Sequence, residues 1–292
     1  MSGWVGGLAE WDDGDVTYLS IAFTWRIPEA YTRALIARAL GKRVIAGGPA
    51  LFQPSMKREL EDIAEIADRY PDALARHHPM ATIASRGCPV GCGFCIVPAM
   101  EGREFTLIPD FPVRPILCDN NLSALPVEYQ QYIIDRYVGH GVPLLDANSG
   151  FEPAAFDGGT YERWKPILRG PWRFAYDESK EGEDVRKMMT ILAGEQAKRK
   201  RVYVLIGNEP FAECMERIER VIAWGGEPHV QPLMKLVALE KEPHVRHDWT
   251  ADKLKRVARW ANRRIWRYAP FSEYDGSVKT RDTNDDQQEL FA

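Results

Sequence analysis

From residue 81 onward, short apolar runs alternate with longer amphipathic stretches, and this happens six times. The runs are 81–85, 115–119, 142–146, 172–176, 201–206 and 228–236. Helical patterns follow at 127–138, 161–168, 184–197, 211–224 and 251–268. A strand buried on both faces reads as a short continuous apolar run, and a crossover helix between such strands makes a parallel sheet. The chain is therefore expected to be α/β, with its site at the C-terminal ends of the strands. Six units take fewer residues than the ~250 of a full eight-fold barrel.

Directly after the first run come Cys88, Cys92 and Cys95, spaced C-x3-C-x2-C, with Phe94 before the last. Three thiolates alone do not complete a tetrahedral zinc site. They can ligate three irons of a [4Fe–4S] cluster and leave the fourth open to chemistry. Two plainer alternatives stand beside this: three buried structural cysteines, or a zinc site completed by His77 or His78. Cys118 and Cys214 are too few for a second cluster and read as packing residues.

The stretch Ser85-Arg-Gly-Cys-Pro-Val-Gly-Cys-Gly-Phe-Cys95 resembles the signature of radical S-adenosylmethionine (radical SAM) enzymes. The resemblance implies a partial (β/α)6 barrel, a [4Fe–4S] cluster on the three cysteines, and S-adenosylmethionine on the open iron. It further implies reductive cleavage to a 5′-deoxyadenosyl radical that abstracts hydrogen from a small-molecule or nucleotide substrate. The electron donor would be of the flavodoxin or ferredoxin type. By position in the family, Phe94 would lie near the adenine. Asp119, Asn120 and Asn121 replace the usual Gly-Gly-Glu that holds the SAM amino group. Asn148, with Ser149, would face SAM or substrate, as would Asp177, and Lys180 would suit a carboxylate. Gly207 and Gln231 would lie beside the adenine.

Domains are expected at 1–80, 81–270 and 271–292. The first has a strand at 16–23, a helix at 28–40 and a strand at 42–46 ending in Gly47-Gly48. This small Rossmann-like unit resembles the end of a cobalamin-binding domain, without the Asp-x-His-x-x-Gly motif such sites carry. The helix at 251–268 is rich in Lys and Arg, with tryptophans interleaved. Such a segment either contacts nucleic-acid phosphates or caps the fold with buried tryptophans and solvated cations. The tail, from Gln287 to Phe291, resembles the short peptide by which proteins dock on the DNA sliding clamp. A non-catalytic, metal-stabilised, DNA-associated module is thus a second functional class, and nucleic-acid modification a third.

A net charge of −4 argues against a surface that binds nucleic acid everywhere. No basic-then-apolar leader is read, and no apolar run nears the ~18 residues of a membrane helix. The expected location is cytoplasmic, without a membrane partner.

Overall fold

The computed structural model describes residues 3–67, 72–148 and 150–276. They form two compact units. One is the chain up to Ala81 with Met234–Glu242; the other is Thr82–Leu233 with the chain from Pro243.

In the first unit, β1 (Leu8–Asp13) and β2 (Val16–Ile21) form an antiparallel hairpin. It turns on Gly14 at φ +59, a left-handed conformation that suits an Asp-Gly pair. Helix α1 (Ile27–Ala39) starts with Pro28 in its first turn and gives way to Gly41 at φ +80. β3 (Arg43–Gly47) then pairs parallel with β2. α2 (Pro54–Arg58) precedes β4 (Glu65–Ala67), which pairs parallel with β3, and α3 (Ala73–His77) follows. Ala30, Ala34 and Ala37 of α1 are buried, so the helix can approach Leu19, Ile21, Val44 and Ala46 closely. The expected strand–helix–strand is present, and β1 and β4 extend it to four strands. β1 escapes the apolar pattern because Glu10, Asp12 and Asp13 sit on an edge strand.

The second unit begins with β5 (Ala81–Thr82) and β6 (Ser85–Arg86), then α4 (Val97–Met100), β7 (Thr106–Leu107) and β8 (Ile116–Leu117). Next come α5 (Val127–His140), β9 (Asp146–Ala147), α6 (Gly158–Trp164), β10 (Trp172–Ala175) and α7 (Gly182–Ile191). The series ends with β11 (Lys200–Ile206), α8 (Phe211–Ala223), β12 (Glu227–Pro232) and α9 (Ala251–Asn262). The architecture is mixed α/β with several small sheets, and the described residues form no closed barrel. Two three-stranded sheets run in chain order, β5-β8-β9 and β10-β11-β12. The resolved pairs within them, β8 with β9 and β11 with each neighbour, are parallel. Parallel bridges at Leu144–Leu168 and Phe151–Phe174 lie between the two.

The boundaries differ from the sequence pattern for local reasons. The run at 81–85 is two strands, since Ala84 N donates to Asp119 Oδ2 (2.9 Å) while its carbonyl accepts from Tyr129 Oη and Ile108 N. Those bonds take Ala84 out of the ladder. β6 pairs antiparallel with β7 instead. Asp157 caps α6 by accepting from Thr160 N (2.7 Å), so the helix starts three residues early, and Pro166 limits its far end. α9 stops at Asn262, with Arg264 left-handed at φ +55.

Along β11 burial alternates strictly: Val202, Val204 and Ile206 are buried, and Arg201, Tyr203 and Leu205 are half-buried. One face meets the helices through Phe151, Phe156, Trp164, Trp172 and Phe174, whose rings lie 4.9–5.9 Å apart in their close pairs. The other face is polar. Arg173 is buried there, its guanidinium 2.7 Å from Asp146 and bonded to Tyr203 Oη. Asp177, Ala175 and Arg173 share this face by the two-residue period of a strand.

The Leu145–Asp146 peptide leaves no room for a side chain at Gly170. A Cβ there would sit 1.7 Å from the Leu145 carbonyl oxygen. Gly170→Ala is expected to cost about 2 kcal/mol or more, a fall in Tm of roughly 4–8 °C. Gly194→Ala, with nothing within 4 Å, should leave Tm unchanged or slightly raised. Thermal unfolding followed by circular dichroism checks both.

Candidate functional site

The cysteine loop leaves β6 through Gly87, whose φ is +88 and whose Cβ would fall 2.1 Å from the Glu104 carbonyl oxygen. Only glycine fits that crossing. Glu101 fastens the loop's base. Its carboxylate accepts from Gly87 N (3.0 Å) and Asn120 Nδ2 (2.6 Å) and pairs with Arg86 at 3.0 Å. Cys88 N bonds to the Gly102 carbonyl at 3.3 Å, and Cys95 N closes a turn on the Cys92 carbonyl at 3.0 Å. Gly91, at φ +69, bends the middle of the loop.

A cavity of about 280 Å³ opens beside this loop. Its lining brings together Cys88, Cys92, Cys95 and Phe94 with Asn120 and Asn121 after β8 and Asp177 after β10. Sequence reasoning named all seven. Glu152, Glu181, Phe151, Ala175, Val90 and Val97 complete the wall, and sequence reasoning missed them. Only Glu181 had a readable signal: Glu178 and Glu181 form a capping box at the turn before α7. Glu181 Oε2 accepts from Asp177 N (2.7 Å) and Glu178 N (3.2 Å).

Other expected residues lie elsewhere. Asp119 is fully buried away from the cavity, accepting from Ala84 N (2.9 Å) and Ser85 Oγ (2.5 Å); its role is to shape the chain before the cysteines. Asn148 donates toward Cys118 Sγ at 3.9 Å. Gly207, at φ +91, packs under Leu254 and Leu233, and Gln231 sits on β12 opposite Leu205; neither lines the cavity. Lys180 is exposed and paired with Glu178 at 2.5 Å. Cys214 is buried and Cys118 half-buried, and all five cysteines are free thiols. Ser149 and the peptide from Gln287 to Phe291 fall outside the described residues. Of the two histidines in the zinc alternative, His77 Nε2 meets Ser20 Oγ at 3.0 Å and His78 Nδ1 accepts from Met80 N at 3.2 Å. Among the described residues, no three His, Cys, Asp or Glu side chains converge on a single-ion site.

Electrostatically the cavity is short of positive charge. Burial, then the neighbouring Cys95 and the carboxylates of Glu152, Asp177 and Glu181, pushes the Cys92 thiol up to about 12. Burial and Glu181 push Asp177 up to about 7. Glu152 and Glu181 are raised as well, each chiefly by burial. Such a wall favours a cationic occupant, and burial that raises Cys92 and Cys95 leaves them as thiols until a strongly bound metal takes them as thiolates.

The three thiols are soft donors on one short loop, facing a common cavity, which suits an iron–sulfur cluster. Asn121 Nδ2 lies 3.8 Å from Cys88 Sγ, an N–H donor of the kind that orients and tunes a ligating sulfur. Comparison with protein-family models and with curated proteins returns no match for this chain. Among the described residues, no helix is long and apolar enough to cross a membrane.

Asp119 gives the fold a pH signature. Burial raises its carboxyl from 3.8 to about 6. The folded chain therefore holds this proton to higher pH than the unfolded chain does. The stability it contributes is full below about pH 4 and lost as pH rises through about 6. Asp119→Asn keeps one acceptor and one donor and removes the titration. Its Tm relative to the parent chain is expected to rise from about pH 4 to about pH 7.5; a flat difference would contradict the assignment.

Proposed function

We propose that this chain is a radical SAM enzyme, with its six parallel strands forming a partial (β/α)6 barrel around the cysteine cavity. The observation that carries the reading is that cavity, in which Cys88, Cys92, Cys95 and Phe94 of one loop meet Asn120 and Asn121 after β8 and Asp177 after β10. The arc is supported by two parallel sheets in chain order and the Phe151–Phe174 bridge between them.

On this reading Cys88, Cys92 and Cys95 hold a [4Fe–4S] cluster by three irons and leave the fourth for S-adenosylmethionine. When bound, the cluster supplies one-electron cleavage of the sulfonium to a 5′-deoxyadenosyl radical, with the electron drawn from a flavodoxin or ferredoxin. Asn121 orients the Cys88 sulfur. Glu152, Asp177 and Glu181 present acceptors and negative charge to the ammonium and sulfonium of the cosubstrate. Phe94 and Phe151 offer apolar surface to a flat base. Glu101 and Asn120 keep the loop fixed, so that ligand positions are set before anything binds. The substrate is a small molecule or nucleotide that takes the remaining space.

Anaerobic reconstitution with iron and sulfide is expected to give about four irons per chain. Addition of dithionite and S-adenosylmethionine should then yield 5′-deoxyadenosine, measured by chromatography. Cys92→Ala should lose the cluster absorbance and the product together. Zinc retained in place of iron, or nucleoside formation that persists in Cys92→Ala, would overturn the proposal.

A further inference from the structure

Helix α9 and its C-cap place three cations where nothing in the described chain answers them. Lys255, Arg259 and Arg263 are exposed and make no side-chain hydrogen bond or ion pair among the described residues. Lys255 and Arg259 lie on α9, about 6 Å apart along its axis, and Arg263 is its C-cap residue, whose backbone N–H still bonds to the Arg259 carbonyl; at i, i+4 and i+8 the three fall on one side. The remaining cations of this region are occupied. Arg264 and Arg267 pair with Glu227 at 3.0 and 2.6 Å, Arg256 donates to the Tyr274 carbonyl, and Lys253 donates to the Asp248 carbonyl at 2.9 Å.

Helices α7 and α8 answer cations with acids of their own. On α7, Arg186 and Lys187 pair with Glu183 and Asp184; on α8, Arg220 pairs with Glu216. Four residues before Arg259 stands Lys255 and four after it, at the C-cap of α9, stands Arg263. Like charges at this spacing destabilise a helix by a few tenths of a kcal/mol per pair. The row is thus a small unrelieved repulsion, and a line of evenly spaced anions would relieve it.

We propose that this row, Lys255–Arg259–Arg263, docks the protein on the phosphate backbone of duplex DNA. A duplex presents negative charge at fixed intervals along a rigid line, matching a rigid row of cations. Single strands are held instead by stacking bases on exposed rings. Here Trp249 and Trp260 are buried, with indole N–H groups bonded to the Glu209 and Ala269 carbonyls at 2.8 and 2.9 Å, and Trp266 is half-buried; Tyr268 is the one exposed ring between Trp249 and Tyr274, too few for a stacking platform. With a net charge of −4, the chain has no general affinity for polyanions, so binding must be local to such a row. Contact through phosphates alone fixes orientation and carries no sequence preference.

The test uses the full chain without cluster or cosubstrate, so its outcome is independent of the radical SAM reading. Fluorescence anisotropy with a short labelled duplex is followed from about 50 to about 200 mM salt. The triple variant K255Q/R259Q/R263Q is expected to bind at least about tenfold more weakly at low salt. Its slope of log affinity against log salt should be shallower by roughly two to three. Its Tm should change little, because the repulsion removed offsets the loss of two cations from the C-terminal end of the helix. R186Q/K187Q on α7 should leave affinity and slope unchanged. The proposal is overturned by unchanged binding in the triple variant, by an equal loss in the α7 variant, or by tighter binding to the single strand. Binding that depends on the row but is seen only with anionic lipid vesicles would also overturn it, in favour of a membrane surface.

Discussion

At Ala84 the backbone is pulled out of the sheet. Its N–H goes to the buried carboxylate of Asp119, and its carbonyl takes the Tyr129 hydroxyl and the Ile108 amide. Everything at the candidate site follows from this diversion. A straight strand through Ser85 would carry the cysteines onward along the sheet. The break lets Ser85–Arg86 pair with Thr106–Leu107 instead, so the intervening chain must loop back, and that loop holds all three thiols. Asp119 pays for this arrangement with a buried charge, which hydrogen bonds from Ala84 and Ser85 only partly stabilise.

Much of this was legible because it is local. The apolar runs gave the strand series, and the cysteine spacing placed a loop directly after the first of them. Asn120, Asn121 and Asp177 were found by asking what stands at strand ends, and Phe94 by its place before the last cysteine. The acidic wall was not legible, because Glu152 and Glu181 come from separate loops and meet the cysteines only through the order of the sheets. Glu101 was hidden for another reason: its partners, Gly87 and Asn120, lie on either side of it in sequence and converge only in the folded chain. Asp119 was assigned to a ligand by its position, whereas its geometry assigns it to the backbone of Ala84. Pro166 and the left-handed Arg264 show the same limit at helix ends, where one residue's backbone preference outweighs the periodicity around it.

The two faces of the β10–β12 sheet divide stability from chemistry. Val202, Val204 and Ile206 look toward helices and aromatic rings, and Arg173, Ala175 and Asp177 look the other way. On that second face polarity rises toward the strand ends. Arg173 is neutralised by Asp146, yet Asp177 accepts from the Leu205 N–H, with Arg217 at a distance and two neighbouring carboxylates. Charge is thus satisfied deep in the sheet and left unsatisfied at its rim, the usual signature of a place kept for an occupant.

None of Cys88, Cys92 and Cys95 belongs to the hydrophobic core of its unit, and Cys95 is exposed. In small zinc domains the metal is the core, and losing it unfolds the chain. Here the packing that closes the fold is complete elsewhere. On the proposed reading, loading of the thiols would therefore be an event after folding, performed on a finished surface. Oxidative loss from that loop would then empty the protein without dismantling it, leaving a scaffold that can be refilled rather than one that must be made again.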